Sequence, residues 1–82
     1  VSRAARRIHI TGVVQGVGFR PFVYRLARYH NLTGWVRNGE RGVEIHAQGD
    51  ERRLETFIAA LVEQAPPAAS VASVDAVPAA YE

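Results

Sequence analysis

The chain has 82 residues, 48% hydrophobic and 22% charged, a length and balance that suit one small globular domain of modest stability. It has no cysteine, which excludes disulfides and thiolate metal sites. It also has no apolar run that would make a transmembrane helix or a signal-peptide core, so a cytoplasmic setting without membrane contact is expected. The formal net charge of +2 suits an anionic ligand without demanding nucleic acid.

Arg3, Arg6 and Arg7 form a small basic cluster near the start, expected as a solvated tail leading into a strand. Residues 7–14 alternate β-branched and polar side chains and predict a strand with Ile8 and Ile10 on the core face. A glycine-rich run follows. Pro21 suits the first turn of a helix, where a missing N–H costs nothing. Phe22, Val23, Leu26 and Ala27 recur at helical spacing with Arg25 and Arg28 outward, and Asn31 is placed to end that helix in a left-handed conformation.

Residues 33–38 predict a short strand, Gly39, Glu40, Arg41 and Gly42 a hairpin turn, and residues 43–48 a half-buried antiparallel strand. In that strand Val43, Ile45 and Ala47 face one side, and Glu44, His46 and Gln48 the other. Gly49 is expected to break it and Asp50 to cap a second helix. Leu54, Phe57, Ile58, Leu61, Val62 and Ala65 share one face of that helix until Pro66 and Pro67 stop it. Residues 70–77 give a weak, alanine-rich last strand. The order strand, helix, strand, strand, helix, strand predicts an α+β, ferredoxin-like two-layer sandwich (βαββαβ), an antiparallel sheet with two helices on one face. One domain over 1–82, with its core at about 7–77, is expected. The start at Val1 and the tail from Pro78 to Glu82 fit an excised module of a larger protein.

The run Val14-Gln15-Gly16-Val17-Gly18-Phe19-Arg20-Pro21 carries the chemistry. Glycines let backbone N–H groups turn toward an anion without Cβ clashes. A helix beginning beside them adds unsatisfied N–H groups and the positive end of its dipole. Arg20 supplies a planar, permanent positive charge for the same anion. Gln15, Gly16, Val17, Gly18, Phe19 and Arg20 are therefore candidate phosphate-binding residues. His9, His30 and His46 are scattered and suggest no shared metal site; they read as surface or rim residues. Trp35 and Phe22 read as core or rim packing, and Tyr24 and Tyr29 as partly exposed.

The sequence VVQGVGFR, followed by a helix, then GWVRN, a hairpin and a valine-rich strand, resembles the acylphosphatase family from about Ile8 to about Val77. The continuation RPFVYRLA and the stretch PPAASVASVDAV resemble more closely the N-terminal acylphosphatase-like domain of the carbamoyltransferase that matures [NiFe]-hydrogenases. There the domain normally continues into another short strand, which a chain ending at Glu82 would lack. The resemblance implies metal-free, cofactor-free hydrolysis of carboxyl-phosphate anhydrides such as acyl phosphates or carbamoyl phosphate, releasing inorganic phosphate. It implies Arg20 and Asn38 as catalytic residues, with the Asn38 amide orienting the attacking water and the substrate phosphate accepting its proton. Further domains of a parent carbamoyltransferase would be its covalent partners, and the isolated chain is expected to be a monomer.

Three other readings are weighed against this one. A stand-alone acylphosphatase or a non-catalytic anion-binding or assembly domain would keep the same cradle. An RNA-binding module would stack bases on aromatics of its central strands, and neither residues 7–14 nor residues 43–48 contain one.

Overall fold

The structure, a computed structural model, describes residues 2–82. Six elements follow in order: β1 (Arg3–Val13), α1 (Phe19–Tyr29), β2 (Thr33–Asn38), β3 (Gly42–Asp50), α2 (Glu51–Glu63) and β4 (Ser70–Ala79). The strands form one antiparallel sheet in the order β2-β3-β1-β4. Ile8 and Ile10 of β1 and Val43, Ile45 and Ala47 of β3 share a core with Phe19, Phe22, Val23 and Leu26 of α1 and Leu54, Phe57, Ala60 and Leu61 of α2. Because side chains alternate across a strand, these residues mark a single sheet face, and both helices lie on it. The architecture is the expected ferredoxin-like sandwich.

Local sequence explains the helix ends. Asp50 is the N-cap of α2, its Oδ1 accepting the Arg52 N–H at 2.9 Å. At the end of α1, Asn31 takes φ 58°; its N–H donates to the Arg28 carbonyl at 3.1 Å, and the Leu32 N–H donates to the Ala27 carbonyl at 2.9 Å. This pair of bonds is a Schellman ending, and it turns the chain directly into β2. Packing then supplies most of the stability. Leu54, Phe57 and Leu61 are wholly buried, each contributing roughly 1.5–3 kcal/mol, more than the ~1 kcal/mol of a cap.

Several expectations need correction. β1 begins at Arg3, so the basic cluster is strand rather than tail. Arg6 points to the helix side and pairs with Glu51 at 3.5 Å and Glu55 at 3.8 Å, while Arg7 points to the opposite face, its guanidinium 4.9 Å from the Trp35 ring centre. α1 starts at Phe19, two residues before Pro21. Pro21 still falls in the first turn, and the first helical bond runs from the Phe22 N–H to the Gly18 carbonyl. Gly49 does not break β3, which continues to Asp50; a side chain there would run into Leu32.

A further correction concerns the face of β3 away from the helices. His46 is 1% exposed and Gln48 8%. The Trp35 ring stacks on His46 with centroids 6.0 Å apart, and the chain beyond β4 crosses this face. Gln48 donates to the Glu82 carbonyl at 2.7 Å and accepts the Glu82 N–H at 2.8 Å, while Trp35 Nε1 donates to the Glu82 carboxylate at 3.1 Å. That pairing satisfies the Gln48 amide, and His46 Nε2 lies 2.9 Å from Gln48 Oε1, whereas His46 Nδ1 is buried without a partner among the described residues. His30 is buried too, at the end of α1 against Phe57, rather than on a rim.

Candidate functional site

Topology alone brings the two motifs together. β3 runs antiparallel to both β1 and β2, so β1 and β2 point the same way and their C-terminal ends lie at one end of the sheet. Only β3 separates them, at two strand spacings or about 10 Å. The loop of residues 14–18 leaves β1 there, and Asn38 closes β2 at the same end, opposite Val43.

The loop is shaped by two left-handed glycines. Gly16 has φ 72° and Gly18 has φ 78°, and neither position has an atom within 4 Å of where a Cβ would sit. The backbone conformation, rather than lack of room, is what calls for glycine. Alternating hand along a short backbone run turns successive N–H groups toward a common point and makes an anion-binding concavity. Val14 and Phe19 bracket this stretch and are buried in the core, which pins both ends of an otherwise exposed loop. Phe19 and the half-buried Val17 thus have only backbone to offer a ligand.

The start of α1 is left electrostatically open. Its N-cap, Gly18, makes no side-chain capping bond, and its first turn has no acidic residue. α2 differs on both counts, with Asp50 capping and Glu51 in the first turn. Arg20, second residue of α1, is exposed and makes no hydrogen bond or ion pair with the described residues. A cation at a helix N-terminus opposes the dipole. Uncapped helix N–H groups, two left-handed glycines and the unpaired Arg20 thus all fall within residues 16–20 and the helix start. The Asn38 side chain is likewise exposed and unbonded among the described residues.

Gln15 turns elsewhere. Its Nε2 donates to the carbonyl of Gly39 at 3.1 Å and to that of Gly42 at 2.9 Å. Its side chain therefore ties the loop to the hairpin beside Asn38, leaving its backbone N–H as the group available to an anion. The Gly39 and Gly42 carbonyls were not among the residues singled out by sequence, since their part is played by backbone. Among the described residues no three His, Asp or Glu side chains gather as a metal site would require.

The family model Acylphosphatase matches residues 6–82. The carbamoyltransferase HypF2 of Cupriavidus necator is 58% identical over 65 residues, covering 79% of this chain and 8% of the relative. The acylphosphatase of Staphylococcus aureus is 49% identical over 70 residues, covering 83% of this chain and 79% of the relative. Among solved structures, full-length HypF in a phosphate- and nucleotide-bound form superposes with a TM-score of 0.95 at 37% identity, over 99% of this chain and 11% of that one. An acylphosphatase from Coxiella burnetii superposes at 0.91 with 33% identity, over 98% and 84%. The chain thus spans about a tenth of the length of its carbamoyltransferase relatives and most of the length of the small acylphosphatases.

Proposed function

Because the chain belongs to the acylphosphatase family, we propose that residues 15–20 hold the phosphoryl group of a carboxyl-phosphate anhydride, and that Asn38 positions the water that hydrolyses it. The observation that carries this reading is the uncapped start of α1, which follows two left-handed glycines and has the unpaired Arg20 as its second residue. The backbone N–H groups of residues 15–20 would donate to the phosphoryl oxygens, and Arg20 would neutralise their charge. An acyl phosphate is already activated and its carboxylate leaves readily, so positioning and charge stabilisation are what a protein must add. Water oxygen bonds to phosphorus, the bond from phosphorus to the acyl oxygen breaks, and the carboxylate departs with that bond pair. The Asn38 amide can hold the water through one acceptor and two donors but is a poor base, so the water's proton passes to a phosphoryl oxygen.

The resemblance to carbamoyltransferases favours carbamoyl phosphate as the anhydride handled in the natural setting, with this chain as the cleaving module of a larger enzyme. The test is metal-free hydrolysis of benzoyl phosphate and carbamoyl phosphate by the wild type and by Asn38→Ala. Turnover inhibited by inorganic phosphate, and reduced about a hundredfold or more in Asn38→Ala while phosphate still binds, is expected. A folded wild type that binds phosphate without turning over either substrate would overturn the catalytic reading in favour of an anion-binding domain.

A further inference from the structure

We infer that Gln15 is a positioning residue that couples the phosphate cradle to Asn38, an inference that rests on the site proposed above. An amide nitrogen carries two N–H groups, and both are used here, one on the Gly39 carbonyl and one on the Gly42 carbonyl. The Gly42 carbonyl also accepts the Gly39 N–H at 2.7 Å, so the hairpin is already closed on itself. Gln15 therefore adds no closure to the turn; it fixes where the whole turn sits relative to the loop.

Gly39 directly follows Asn38, so the hairpin side of the tie lies one peptide from the residue that would hold the water. On the loop side, Gln15 directly precedes Gly16, the first left-handed position. A single side chain thus spans the gap across β3 between the phosphate-holding loop and the water-holding residue. Both acceptors are carbonyl oxygens, so the amide has only one orientation that works; the reverse would set oxygen against oxygen. The interaction requires a donor at this position, not merely bulk.

The consequence is a division of labour. The cradle's own shape comes from φ at Gly16 and Gly18 and from the buried Val14 and Phe19, none of which needs Gln15. Removing the donor should leave phosphate affinity near wild type while freeing the hairpin, and with it Asn38, to move. Catalysis depends steeply on such placement, where a 1 Å error can cost about a hundredfold.

The experiment compares Gln15→Met, which keeps length without the donor, and Gln15→Glu, which sets a carboxylate against two carbonyls, each alone and combined with Asn38→Ala. Gln15→Met should lower kcat about tenfold with phosphate inhibition changed less than twofold, and Gln15→Glu should lower it further. In the Asn38→Ala background neither should lower the residual rate again. A further tenfold fall there, or loss of phosphate affinity in step with kcat, would overturn the coupling. A second readout needs no turnover. In the wild type the backbone amides of Asn38 and Gly39 should give sharp, ordered NMR signals from a hairpin held in one place. In Gln15→Met both should lose that order while the melting temperature stays within a few degrees. Unchanged signals would overturn the inference even if the protein proved inactive, whereas an inactive wild type with the expected signal changes would refute only the catalytic reading of the site.

Discussion

Replacing Arg20 by Ala should make the free protein more stable and the enzyme nearly inactive. Arg20 is exposed, unpaired and second in α1, where the helix dipole is positive and no acidic residue offsets it. A charge of the wrong sign in the first turn costs about 0.3–1 kcal/mol. Arg and Ala differ little in helix propensity, so that electrostatic cost is the main term relieved. A gain of about 0.5 kcal/mol corresponds to roughly 2–4 °C in Tm for a domain of this size. Transition-state stabilisation by such a group is typically worth about 3–4 kcal/mol, a hundredfold or more in rate.

Phosphate should reverse the order of stability. At ten times its Kd, a ligand stabilises the wild type by about 1.4 kcal/mol. If the variant binds tenfold more weakly, the same concentration gives it about 0.4 kcal/mol. The wild type would then lead by roughly half a kilocalorie, so the two melting curves cross as phosphate is added. The assay is thermal unfolding over a phosphate titration in a non-phosphate buffer, with benzoyl phosphate turnover alongside. A variant less stable than wild type by more than about 1 kcal/mol without phosphate would mean that Arg20 holds the fold together. A variant with undiminished phosphate stabilisation would mean that it does not meet the anion. Either result refutes the reasoning.

Gly34 should tolerate no side chain: its φ is 145° and a Cβ would lie 1.7 Å from the His46 carbonyl oxygen, so Gly34→Ala must pull β2 from β3. A loss above about 4 kcal/mol, or a drop of some 16 °C or more in Tm, is expected by calorimetry; a drop of only a few degrees would contradict the close approach. His30 has its pKa lowered by burial and then by the Arg53 charge. The unfolded chain therefore takes up its proton at a higher pH than the folded one, so the contribution of His30 is fully present above its ordinary value of 6.5 and is lost as pH falls through the lowered folded value. Denaturant unfolding of wild type and His30→Leu between pH 8 and 5 should show the wild type losing more stability toward acid; parallel curves would count against it.

What the sequence disclosed and what it hid divide by distance along the chain. Asn31, Asp50 and the prolines after α2 act within a few residues of themselves, and all three signals matched the structure. The glycine loop was legible for the same reason, since left-handed backbone at Gly16 and Gly18 is a property of those residues. The burial of His46 and Gln48 was not. Strict alternation in residues 43–48 signals a strand with one wet face only if nothing far away covers that face. Here the cover is Trp35 from the neighbouring strand and Glu82 from the end of the chain, 34 positions from Gln48. Gln48 is suited to that cover because its amide can satisfy a passing peptide's N–H and C=O together, as a neighbouring strand would. The same chemistry recurs at Gln15, where an amide meets two carbonyls of the β2–β3 hairpin. In both places a glutamine side chain bonds to backbone groups much as a neighbouring strand would. Such a role is set by the register of distant strands, so only the folded chain discloses it.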